Sequence, residues 1–115
     1  MDHILLIDDQ DAILIFLRKV LTDLGYEVKV AHDGEEGIEL VNSGYDFNLV
    51  ITDINMPRMD GNAVAEYIRS SEKPDTPIVA LTASSHDDIN RDLFDFVVMK
   101  PFDLKALITA IKSFT

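Results

Sequence analysis

The sequence predicts an α/β domain: a doubly wound, five-stranded parallel sheet with helices on both faces. Three observations carry that prediction. Short apolar runs rich in Val, Ile and Leu alternate with segments of helical spacing along the whole chain. The runs are almost continuously apolar, as strands covered on both faces must be. The connections are short, and right-handed crossovers then bring successive strands parallel into one sheet. At 115 residues the chain is expected to form one domain, 1–115.

The strand candidates are 3–7, 27–31, 48–52, 78–82 and 95–99. In 10–24, Ile13, Phe16, Leu17, Val20, Leu21 and Leu24 form one stripe, and Gly25 stops the helix. Leu14 flanks that stripe and Ile15 points to the opposite side. In 34–43, Ile38 and Val41 carry a thinner stripe. Gly37 inside it should cost about 1 kcal/mol relative to Ala. In 61–70, Val64, Tyr67 and Ile68 are expected to face inward, with Asp60 as a turn or N-cap residue. Pro74 and Pro77 hold the chain extended before the next strand. The segment 83–94 has little room, so the fourth helix is expected to be short or poorly formed. In 103–114, Asp103 stands as N-cap while Leu104, Leu107, Ile108 and Ile111 face the sheet.

Composition excludes several classes of function. A formal net charge of −11 argues against non-specific nucleic-acid binding, which needs Lys and Arg against phosphates. The absence of cysteine rules out disulfides and thiolate metal sites. No apolar run approaches the ~20 residues of a membrane span. The N-terminus lacks the basic, apolar, small-residue order of a secretory signal. No membrane contact and a cytoplasmic location are therefore expected.

The strand ends carry the chemistry. The first run ends in Asp8-Asp9, the third in Asp53, the fourth in Thr82 and the fifth in Lys100. In a parallel sheet these side chains meet at the carboxyl edge, where open α/β sheets bind ligands. Three carboxylates supply hard oxygens suited to Mg²⁺. Their mutual repulsion raises their pKa values until a cation or Lys100 relieves it. A carboxylate is also a nucleophile that can form an aspartyl-phosphate. Phosphoryl transfer asks the protein mainly to position groups and neutralise charge, which Mg²⁺, Lys100 and the Thr82 hydroxyl would share. Ala83 leaves the approach unobstructed.

Four motifs in order carry a family resemblance: Asp8-Asp9, Asp53-Ile-Asn-Met-Pro-Arg-Met-Asp-Gly61, Leu81-Thr82-Ala83 and Lys100-Pro101-Phe102. Over essentially its whole length the chain resembles a receiver domain of the two-component response regulators. The resemblance implies the flavodoxin-like strand order 2-1-3-4-5, with the fourth helix shortened here. It implies Asp53 as phosphoacceptor, Asp8 and Asp9 as the metal pair, and Asn55 as a backbone-carbonyl ligand of Mg²⁺. Thr82 and Lys100 would sense the phosphate, and Pro101 would follow a cis peptide. Asn55 and Ser84 lie where the family tunes hydrolysis of the phosphate. The donor would be a phosphohistidine on a sensor histidine kinase or a histidine phosphotransfer protein, and the first helix, with Ile15, would dock it. The output partner is not named by the sequence. Nor does it separate a stand-alone protein from the receiver portion of a longer chain.

The chain departs from the family at three places. Val97 stands where many receivers carry an inward-turning aromatic, and Phe96, on the opposite face by alternation, is expected in the core. The stretch from Thr82 to Lys100 is about one helical turn short. Leu93-Phe94-Asp95 replaces the usual Gly-Ala. The signal is accordingly expected to pass through ordering of 83–94.

Several features have plainer readings. Met56 and Met59 are loop packing, since thioethers do not suit Mg²⁺. His3, His32 and His86 stand apart from one another and read as exposed structural residues. Three rival functions fit the sequence less well. A haloacid-dehalogenase-like phosphatase needs a second Asp where Asn55 stands. A flavodoxin-like electron carrier would not place Asp8-Asp9-Gln10 in a phosphate-binding loop. A pseudo-receiver would lack site residues that are all present here.

Overall fold

The alternation of apolar runs and helical stripes is realised in a computed structural model that describes residues 2–83, 88–100 and 104–115. The elements follow as β1 (His3–Ile7), α1 (Asp11–Asp23), β2 (Glu27–Ala31), α2 (Gly34–Val41), β3 (Leu49–Asp53), α3 (Gly61–Arg69), β4 (Ile78–Thr82), β5 (Phe96–Met99) and α4 (Leu104–Phe114). The strands are parallel in the order β2-β1-β3-β4-β5, the doubly wound order expected. Strand alternation builds two cores. Ile4 and Leu6 point to the face covered by α1 and α4, while Leu5 and Ile7 point to the face covered by α2 and α3. Strands β3 and β4 are buried along their whole length, which explains their unbroken apolar character.

The helical stripes need correction. On α1 the buried residues are Leu14, Leu17 and Leu21, whereas Phe16 is 47% exposed and Leu24 also faces solvent. The stripe is rotated toward Leu14; Phe16 lies too far round the helix, and Leu24 sits past its last turn. Gly25 takes the left-handed conformation expected of a helix stop, φ +96°. On α3, Ala65 is buried and Tyr67 is not. The small side chain lets α3 approach the sheet, and the Tyr67 hydroxyl instead accepts from the Asn42 amide at 2.7 Å. Asp60 caps α3 by accepting from Ala63 N at 2.9 Å, as expected. On α4, Leu107, Ala110 and Ile111 are buried, and Leu104 packs at the margin. Ile108 is only half-buried.

Gly37 has a reason the sequence did not disclose. It is buried on α2, and a Cβ there would collide with Ile7 Cδ1. The missing side chain is what lets α2 lie directly on β1.

Between β4 and β5 the described residues form only a 3₁₀ turn, Arg91–Leu93, in keeping with a shortened crossover. This connection is tied to α3. Asn62 donates to Asp88 O and accepts from Asn90 N at 2.8 Å. Arg69 uses its whole guanidinium on Leu93 O, Pro74 O, Thr76 O and the Asp95 carboxylate. Phe96 is exposed, contrary to the expected core position. β5 is an edge strand, and α4 covers only part of the face on which Phe96 stands. Ser84, His86, Pro101 and Asp103, for which roles or caps were expected, lie outside the described residues.

Candidate functional site

Parallel register sets the site. Ile7 pairs with Thr52, Asp53 with Leu81, and Thr82 with Met99, so the carboxyl ends of four strands finish at one level. Asp8 follows β1, Asp53 ends β3, Thr82 ends β4 and Lys100 follows β5. Lys100 N donates to Thr82 O at 2.6 Å, which keeps the lysine in line as the strand ends.

The side chains converge. Lys100 Nζ donates to Asp8 Oδ2 at 3.0 Å and stands 3.3 Å from Asp53 Oδ1. Asp8 Oδ1 accepts from Gln10 N at 2.9 Å, and Asp53 Oδ1 from Ile54 N at 3.0 Å. Carboxylate oxygens of Asp8, Asp9 and Asp53 lie within 4.8 Å of one another. Asp8, Asp53 and Thr82 are buried, while Asp9 is exposed and marks the open side. Asn55 is exposed on the loop that leaves β3, two residues past Asp53. Thus Asp8, Asp9, Asp53 and Lys100 are brought together by their side-chain atoms. Thr82 is brought there by register, and Asn55 stands on the loop two residues past Asp53.

The electrostatics favour added positive charge. Burial, then the neighbouring Asp8, push the Asp53 carboxyl up to about 6, against the pull of Lys100. Burial also raises Asp8, although the Gln10 amide and Lys100 counter it. One ammonium does not balance three carboxylates. A hard cation would, and the all-oxygen donor set suits Mg²⁺. Sequence reasoning missed the Gln10 and Ile54 amides that orient the two buried acids. The first was legible as a local turn, because an Asp side chain commonly accepts from the amide two residues on.

A 2-1-3-4-5 parallel sheet whose carboxyl edge gathers three carboxylates and a lysine defines a receiver-type signalling domain. The chain belongs to the response regulator receiver domain family, which matches residues 4–112. It is 34% identical over 114 residues to the transcriptional regulatory protein DltR of Streptococcus agalactiae, covering 96% of this chain and 50% of that one. It is 36% identical over 117 residues to the response regulator MprA of Mycobacterium ulcerans, covering 96% and 49%. The chain therefore spans about half the length of these curated relatives. Among solved structures, the response regulator TrrA of Thermotoga maritima, in complex with Mg²⁺-BeF, superimposes with a TM-score of 0.91 at 38% identity, covering 100% of both chains. The chemotaxis protein CheY4 of Vibrio cholerae gives 0.89 at 27% identity, covering 100% of this chain and 99% of that one.

These similarities favour two-component signalling and none of the three rivals. Several relatives are named transcriptional regulators, which gives no support to the expectation, drawn from charge, that nucleic acid is not bound. No described helix is long and apolar enough to cross a membrane.

Proposed function

We propose that this domain is a switch that takes a phosphoryl group onto Asp53 from a phosphohistidine donor. The observation that carries the reading is the Lys100 ammonium within 3.3 Å of Asp53 and 3.0 Å of Asp8, with Asp9 at the open side. Asp8, Asp9, Asp53 and the Asn55 carbonyl would hold Mg²⁺, which when bound neutralises charge on the phosphoryl oxygens. The chain's own residues do the rest. An Asp53 oxygen attacks phosphorus as the phosphorus–nitrogen bond to the donor imidazole breaks, and the imidazole, already protonated on its other ring nitrogen, leaves neutral. Lys100 swings from the two carboxylates to a phosphoryl oxygen. Thr82 donates its hydroxyl to another. Water later cleaves the acyl phosphate and restores Asp53, so the domain catalyses its own phosphorylation and dephosphorylation without being a metabolic enzyme.

The partner is a sensor histidine kinase or a histidine phosphotransfer protein, met in the cytoplasm. Residues 1–115 act as one receiver unit. Their net charge of −11 disfavours direct contact with nucleic acid, so any effect on transcription reaches DNA through other protein surfaces. The signal leaves by a change in the connection between β4 and β5, which follows Thr82 directly.

Intact-mass analysis after incubation with acetyl phosphate and Mg²⁺ tests the reading. A phosphate adduct is expected on the wild type and not on Asp53→Ala. No adduct on the wild type, or an equal one on Asp53→Ala, refutes it.

A further inference from the structure

Arg58 has a left-handed backbone, φ +69°, which a side chain with a Cβ adopts reluctantly. Met59 N donates to Pro57 O at 2.8 Å and closes a three-residue turn around it. This turn lies in the loop that carries Asn55. Its outer end is fastened to the start of α2. Arg58 Nη2 donates to Asp33 Oδ2 at 3.0 Å, and Nε stands 3.7 Å from Glu35 Oε1. The other Asp33 oxygen accepts from Glu36 N at 2.8 Å, so this carboxylate is held as the α2 cap while it holds the arginine. Beside it, a Cβ on Gly34 would stand 2.9 Å from Met59 Cγ and Met59 O, so the first turn of α2 rests on the loop. Further along, Gly37 rests on Ile7, the residue before Asp8. One short helix therefore touches both segments that flank the acid cluster.

We propose that Arg58 is a positioning residue for Mg²⁺: its bond to Asp33 across the left-handed turn fixes the loop that offers the Asn55 carbonyl. This rests on the Mg²⁺ reading above and extends it to a residue outside the ligand set. Charge alone makes the opposite prediction. An arginine near a cation site repels the cation, so its removal should tighten binding. Loss of the latch loosens the loop and weakens binding. Because Arg58 is largely exposed, the effect is modest.

Mg²⁺ titration calorimetry on the full chain at fixed ionic strength separates the two. Arg58→Ala keeps the Cβ and loses the latch; we expect Mg²⁺ affinity to fall roughly two- to fivefold. Arg58→Lys should recover part of the loss. Asp33→Asn keeps an oxygen for the Glu36 amide, and its combination with Arg58→Ala should bind no more weakly than Arg58→Ala alone. Urea unfolding in EDTA reads any purely structural role separately. Equal or tighter Mg²⁺ binding by Arg58→Ala overturns the proposal, whatever its stability. A wild type that takes no Mg²⁺ overturns the metal reading and this proposal with it.

Discussion

Arg69 Nη2 donates to Asp95 Oδ2 at 2.9 Å, and the same carboxylate oxygen accepts from Ile78 N at 2.8 Å. One pair thus joins α3, the start of β4 and the approach to β5. The remaining guanidinium donors go to the carbonyls of Leu93, Pro74 and Thr76. Lysine has three donors on a single nitrogen and cannot reproduce a planar fork spread over these acceptors. Arg69→Ala should destabilise the domain by about 2–4 kcal/mol, since it strips partners from several partly buried carbonyls. Arg69→Lys should recover less than half of that. Urea unfolding of the three proteins checks it; a full rescue by lysine would mean that charge, not the fork, holds the connection.

Helix propensity alone predicts that Gly37→Ala stabilises α2 by about 1 kcal/mol. The packing predicts the opposite sign. The new methyl would meet Ile7 Cδ1, with Ile7 Cγ1 at 3.1 Å behind it. Overpacking of this kind costs about 1–3 kcal/mol. Ile7→Val removes Cδ1, so the cost of Gly37→Ala should shrink in that background, and a thermodynamic cycle by urea unfolding measures the difference. An additive cycle would show that the two residues do not compete for space.

Gly37 also marks the limit of what the sequence could disclose. The strands and the residues at their ends were legible, because an unbroken apolar run and its boundary are local signals; the strand order came from the family resemblance. The rotation of a helix on the sheet is not local. Leu14 and Phe16 are both apolar and both near the stripe of α1, and only packing decides that Leu14 is buried and Phe16 exposed. The same holds for Tyr67 and Ala65, where the smaller residue won the interior because it lets two backbones approach. At the site, residue types announced the acids and the lysine. The amides of Gln10 and Ile54 carry no residue-type signal beyond position.

The raised Asp53 carboxyl makes stability depend on pH. Its folded value of about 6 lies above the ordinary 3.8, so the folded chain holds this proton more tightly than the unfolded chain. The associated stability is fully present below 3.8 and is lost as pH rises through about 6. From this group alone the metal-free chain loses roughly 3 kcal/mol across that window, and Asp8 adds loss of the same sign. Asp53→Asn has no charge to bury. In EDTA it should be about 2–3 kcal/mol more stable than the wild type at pH 7.5, with the gap closing by pH 4. Mg²⁺ should stabilise the wild type at pH 7.5 and progressively less toward pH 5, because protons compete for the same oxygens. Thermal unfolding at several pH values checks both. A gap that persists unchanged at pH 4 would place its origin outside the titration.

On α1, Ile15 is 71% exposed and lines a shallow cleft with Asp11, Leu14, Arg18, Val30 and His32, and Phe16 is 47% exposed on the same helix. An apolar side chain as open as Ile15, on the helix that follows Asp8-Asp9, suits contact with a protein partner. The family resemblance points to the same helix. Ile15→Asp changes neither the core nor any hydrogen bond described for the site, so reaction with a small phosphodonor should proceed at the wild-type rate. Transfer from a cognate kinase should slow about tenfold, the loss that goes with removing one well-packed apolar contact from an interface and placing a charge there. Parallel time courses with acetyl phosphate and with the phosphorylated kinase give the comparison. Equal slowing of both would locate the defect in the pocket and take α1 out of the docking surface, whereas selective slowing assigns the helix its partner.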